Sequence, residues 1–128
     1  MITLGRKKQI WFISHPSGGM QHTPTFFNAL NVFTQGNSHI DVQFPHEAQE
    51  EVQLTKDAIA SCNLVLVEVS IPSTGSGIEL GWANAADKPI IAFHQGGSEP
   101  SPAIKFVTKE IHIYITEEHI LEVLQNLK

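Results

Sequence analysis

The sequence predicts an open, doubly wound α/β sheet, a Rossmann-like arrangement of about five parallel strands flanked by helices, and three observations predict it. Short apolar runs rich in β-branched and aromatic residues alternate with segments of helical spacing. One run, Leu64-Val65-Leu66-Val67, has no polar alternation, as a parallel strand covered on both faces requires. The stretches after the first, third and fourth runs are crowded with Gly, Ser and Pro, at the sheet edge where such folds bind ligands.

Each element has its own local reason. Gln9 to Ile13 reads as the first strand, bounded by the turn-like cluster Ser14-His15-Pro16-Ser17-Gly18-Gly19. A helix is expected after Thr23, with Thr23 as its cap and Pro24 at the first helical position. Phe26, Phe27, Leu30 and Phe33 then recur at the spacing of one buried face, and Gly36-Asn37 ends the pattern. Ile40 to Phe44 is the second strand, closed by Pro45. From Glu47 the chain turns polar and acidic, then helical, with Val52, Leu54, Ala58 and Ile59 as apolar positions. Leu64 to Val69 is the third strand, and a helix over roughly Gly77 to Ala86 follows its Gly-rich loop.

Asp87-Lys88-Pro89 breaks that helix and opens the fourth strand, Ile90 to Phe93. His94 to Pro102 is a loop, Ala103 to Val107 a short helix, and Ile111 to Ile115 the fifth strand. Thr116, with Glu117 and Glu118 in the first turn, starts a closing helix to Leu127; followed three residues on by His119, it is not expected to form a capping box. No repeat or linker interrupts the series, so residues 1–128 are expected to form one domain, large enough to bury a core without staples.

Composition narrows the function. Hydrophobic content of 41% and charged content of 16% are ordinary for a globular domain. The net charge of -5 argues against nucleic acid as a partner, and Arg6-Lys7-Lys8 is too short a basic cluster to reverse that. No apolar run approaches the roughly 20 residues of a membrane span, and no leader opens the chain, so a cytoplasmic location is expected. The single cysteine, Cys62, reads as a small buried core residue and excludes an internal disulfide. The histidines are scattered without metal-ligand spacing, so neither a metal nor another cofactor is expected.

The chemistry concentrates in Ser70 to Ala86, SIPSTGSGIELGWANAA. Ser73, Gly75, Ser76 and Gly77 could let a backbone approach a ligand and aim N–H groups at an anion. Ser17-Gly18-Gly19 offers a second small-residue loop at the same edge. The Walker pattern is absent, because no Gly-Lys-Ser/Thr ends either loop. The dinucleotide fingerprint is absent too, since Gly75-Ser76-Gly77 is followed by Gly81, one residue too late. Glu79, expected in the first turn of the helix, is either a carboxylate favouring the helix dipole or a nucleophile for a cationic, oxocarbenium-like transition state. Phe26, Phe27, Trp82 and Tyr114 could stack on a base, though core packing accounts for aromatics at such spacing as well.

The pattern Glu68-Val69-Ser70-x-Pro72-Ser73-x-Gly75-x-Gly77-x-Glu79-Leu80-Gly81-x-Ala83, followed by Lys88-Pro89-Ile90, resembles the signature of the nucleoside 2-deoxyribosyltransferase superfamily. Within it, the chain is most similar to the 2'-deoxynucleoside 5'-monophosphate N-glycosidases of the Rcl type and the related CMP N-glycosidases. The resemblance is specific from about Asp57 to Phe93 and looser from Trp11 to Gly19. It implies a Rossmann-like fold, a homodimer or higher oligomer, and cleavage of the bond between base and sugar of a small nucleotide or nucleoside. It makes Glu79 the nucleophile and Ser73 the phosphate contact, with Gly75, Gly77, Ser14, His15, Ser17, Gly18 and Gly19 around the substrate.

The chain also departs from that pattern. The family's loop glycine and serine fall on Ser14 and His15, and its loop arginine on Ser17. The aspartate that protonates the leaving base falls on Thr55; Asp57 is the carboxyl two residues on, about 200° around a helix. Asp57 is the expected proton donor, with His15, His22 and His46 as other titratable groups. A serine that the family supplies from the neighbouring subunit falls near Ser98 or Ser101. The alternative reading is a nucleotide-sensing module on the same fold, without catalysis. The Pro-Gly-Gly-x-Gly-Thr pattern of the cytokinin-activating phosphoribohydrolases is absent.

Overall fold

The computed structural model of the chain describes residues 8–16, 19–44 and 52–127. In chain order they form β1 (Gln9–Ser14), α1 (Gly19–His22), α2 (Pro24–Gln35), β2 (Ile40–Gln43), α3 (Val52–Ser61) and β3 (Leu64–Glu68). There follow α4 (Thr74–Ala85), β4 (Ile90–Gln95), a 3-10 helix (Pro102–Phe106), β5 (Ile111–Tyr114) and α5 (Glu117–Gln125). The strands form one sheet in the order β2-β1-β3-β4-β5, and every neighbouring pair is parallel. The order reverses between β1 and β3, so the topological switch point lies at their carboxyl ends.

Side-chain alternation divides the core in two. Trp11 and Ile13 of β1, Leu64 and Leu66 of β3, and Ile91 and Phe93 of β4 face α2 and α5. Phe12, Val65, Val67 and Ala92 point the other way, where α3 and α4 supply Ile59, Leu80 and Ala83. All five residues of β3 are buried, as its unbroken apolar run predicts for a strand covered on both faces. Phe26 and Phe27 lie in the core, meeting edge to face at 5.4 Å, and Tyr114 is buried in the same cluster. Trp82 packs half-buried against the other cluster. Cys62 is buried, its thiol contacting the Ile59 carbonyl at 3.1 Å and pushed up in pKa by burial.

Several boundaries differ from the sequence expectation, each for a local reason. Helix α4 begins at Thr74, three residues before Gly77, because Ser73 caps it: its hydroxyl accepts the Ser76 N–H at 3.4 Å. Its last turn ends ahead of Asp87, which takes the left-handed conformation at φ 56°. An unexpected short helix, α1, begins at Gly19, the last residue of the turn-like cluster after β1. Thr23 occupies the N-cap position of α2 without a side-chain cap hydrogen bond, leaving Pro24 as the local start signal. His119 does serve α5 as a capping-box residue, its Nδ1 accepting the N–H groups of Ile115 at 3.0 Å and Thr116 at 3.5 Å.

Candidate active site

The shift in the start of α4 changes the meaning of Glu79. The carboxylate is the sixth residue of the helix, in its second turn, and the first turn carries no acidic residue. Favourable interaction with the helix dipole is confined to the first turn. Glu79 is instead only 3% exposed and faces the sheet, beside the small residues Ser76 and Ala83 on the buried side of α4. Burying a carboxylate is costly unless donors are aimed at it. Ser14, the last residue of β1, donates its hydroxyl to Glu79 Oε1 at 2.7 Å. Strand alternation fixes this contact, because Ser14 follows Phe12 onto the face that α4 covers. The pair therefore joins β1 to the helix after β3, at the switch point.

The other sequence-derived site residues distribute unevenly. Ser73 stands half-exposed at the N-terminus of α4, with Gly75 and Gly77 exposed in the first turn. Neither glycine has a positive φ, and no protein atom crowds a Cβ built at either: the nearest is Ser73 Oγ, 3.9 Å from Gly75. Backbone conformation and packing thus give no reason for glycine there, which leaves room for a ligand as a reason. Ser101 caps the 3-10 helix, accepting the Ala103 N–H at 3.3 Å. His15 is buried, edge-on to Phe27 at 5.1 Å, with Nδ1 2.9 Å from the Pro16 carbonyl. Gly19 opens α1, while Ser17, Gly18 and His46 lie outside the described residues.

On α3 the inward position belongs to Thr55, which is buried, and Asp57 is on the exposed side, as two helical steps require. A cavity of about 500 Å³ opens between the first turns of α4 and the 3-10 helix. Its lining includes Ser73, Thr74, Ser76 and Gly77 on one side and Ser101, Ile104 and Phe106 on the other. Glu79 is not part of that lining; it faces the β1 side of the same helix.

Sequence reasoning gave Glu68 no role. It is a second buried carboxylate, at 0% exposure, and it ends β3 with three donors around it. Ser70 gives it an N–H at 2.6 Å and a hydroxyl at 3.0 Å, and Tyr114 gives it a hydroxyl. Burial first, and then Glu68 itself, push the Tyr114 hydroxyl far above the ordinary tyrosine pKa. The available signal was a lone carboxylate closing an otherwise apolar strand. Among the described residues no group of three or more His, Cys, Asp or Glu is placed to hold a metal, and no helix is long and apolar enough to cross a membrane.

This is a doubly wound α/β protein with a buried carboxylate at its switch point and a helix N-terminus opening onto a cavity. Among solved structures the chain is similar to the CMP N-glycosidase BcmB of Clostridium botulinum, at 25% identity and a TM-score of 0.65, covering 91% of this chain and 99% of that one. It is also similar to a conserved protein of Enterococcus faecalis V583, at 12% identity and a TM-score of 0.63, covering 98% of this chain and 99% of that one, a likeness of fold alone. No protein-family model matches the sequence, and no curated protein does.

Proposed function

We propose that the protein cleaves the N-glycosidic bond of a nucleotide or nucleoside through a glycosyl intermediate on Glu79. The observation that carries this reading is the buried Glu79 carboxylate oriented by the Ser14 hydroxyl at the switch point. The similarity to a CMP N-glycosidase over 91% of the chain supports the same class of reaction. In this reading a Glu79 oxygen attacks C1' of the sugar as the C1'–N bond breaks, and the base leaves with a proton. Water then attacks C1', releases the sugar and regenerates the carboxylate; a second base in place of water gives transfer.

Ser73, Gly75 and Gly77 hold the 5' end at the N-terminus of α4, and Ser14, His15, Ser17, Gly18 and Gly19 are the further substrate-binding residues of this reading. Ser101 faces Ser73 across the same cavity within one chain, and in this reading the protein works as a homodimer. Asp57, exposed on α3, is the proposed proton donor.

The test is incubation with CMP, the other ribo- and deoxyribonucleoside monophosphates, and the free nucleosides, with released base measured by chromatography. Wild type is expected to release base, and Glu79→Gln and Glu79→Ala to lose at least a thousandfold. Absence of release from every substrate, or undiminished release by both variants, overturns the assignment. One observation favours a second reading, a nucleotide-binding module without turnover: the described cavity includes Ser73 but not Glu79. Saturable nucleotide binding with no base release identifies that case.

A further inference from the structure

Glu68 is buried more completely than Glu79, and the chemistry proposed above does not use it. Its surroundings show what it does. Strand β3 ends at Glu68, so beyond Val69 the N–H of Gln95 on β4 has no strand residue opposite it. The Ser70 hydroxyl takes that place, accepting the Gln95 N–H at 2.8 Å while donating to Glu68 Oε2 at 3.0 Å. Glu68 Oε1 accepts the Ser70 backbone N–H at 2.6 Å, and the Tyr114 hydroxyl from β5 donates to Oε2, the oxygen that also takes the Ser70 hydroxyl. The carboxylate at the end of β3 is thus tied directly to β5 through Tyr114 and indirectly to β4 through the Ser70 hydroxyl, with Phe93 paired across from Glu68 in the ladder. Three residues beyond Ser70, Ser73 caps α4, and both Glu68 and Ser73 line the cavity.

We propose that Glu68 is a positioning residue: by gripping Ser70 and Tyr114 it fixes the turn 70–73 and thereby the N-terminus of α4 that receives the substrate. The inference rests on the glycosidase reading for its kinetic consequence, and its structural consequence stands independently. Glu79 is held separately, by the body of α4 and by Ser14, so the grip governs binding rather than the bond-breaking step.

Tyr114→Phe, Ser70→Ala and Glu68→Gln test this; Tyr114→Phe removes only one hydroxyl and is the variant surest to fold. The expected result with CMP is a rise in KM of about tenfold with kcat within about twofold for each variant, and Ser70→Thr restoring KM relative to Ser70→Ala. Amide hydrogen exchange is expected to accelerate in residues 70–77 and to stay unchanged in α2 and α5. A lowered melting temperature with unchanged KM and uniform exchange means a purely structural role and overturns the proposal. If wild type releases no base, the glycosidase reading fails; local acceleration at residues 70–77 then still supports the positioning role, and its absence still overturns it.

Discussion

The Ser14 hydroxyl donates to Glu79 Oε1 at 2.7 Å, linking the last residue of β1 to the second turn of α4 across the switch point of the sheet. Ser14→Ala removes that donor from a carboxylate that is only 3% exposed. A hydrogen bond to a charged group contributes about 1.5–3 kcal/mol, so base release is expected to fall roughly 10- to 100-fold. Initial rates on CMP for wild type, Ser14→Ala and Ser14→Thr measure it, with Thr retaining most of the activity. Equal rates in all three would remove Ser14 from the site.

Gly77 gives a prediction in which stability and function move in opposite directions. It is exposed in the first turns of α4, with nothing within 4 Å of a built Cβ. Gly77→Ala should raise stability by about 0.5–1 kcal/mol through helix propensity. If substrate approaches the backbone there, the same change weakens nucleotide affinity. Urea unfolding and calorimetric CMP titration of one preparation read both signs.

Tyr114 is the single tyrosine of the chain, so tyrosinate absorbance reports on this one site. Its pKa is raised in the fold above the ordinary 10.0 by burial and by Glu68. The folded state thus holds the proton more tightly than the unfolded chain. The resulting stability is complete below about pH 10 and is lost as pH climbs through the folded pKa. Native protein should show no tyrosinate signal at pH 10.5, while urea-unfolded protein shows it fully developing near pH 10. Tyr114→Phe should make the unfolding midpoint less sensitive to pH above 10.

His119 caps α5 through its Nδ1, a role filled elsewhere by Glu or Gln. His119→Ala is expected to cost about 0.5–1 kcal/mol, and His119→Gln to cost little. Thermal melts at pH 7.5 distinguish them; identical losses would show that the contact contributes nothing.

The order of strands and helices was legible in the residues because period and punctuation report it locally. The unbroken run Leu64 to Val67 marked a central strand, Pro24 marked the start of α2, and Asp87-Lys88-Pro89 marked the end of α4. Glu79 and Ser73 stood out for the same reason, a carboxylate and a serine in a stretch of small residues. The start of α4 was misjudged because glycines suggest a loop, and only the Ser73 cap shows the helix running through them.

What sequence by itself determined, then, was the alternating α/β pattern, the parallel character of the sheet and the residue types at its carboxyl edge. Tertiary structure alone decided that Ser14, 65 positions before Glu79, would be its hydrogen-bond donor, and that Tyr114, 46 positions after Glu68, would close around a second carboxylate. It also turned Thr55 inward and Asp57 outward on α3, and set Glu79 and the cavity on different sides of α4. The physical reason is that hydrophobic period reads which face of an element is buried. Which polar groups meet on that face depends on strand order and register, quantities fixed only when the whole sheet packs.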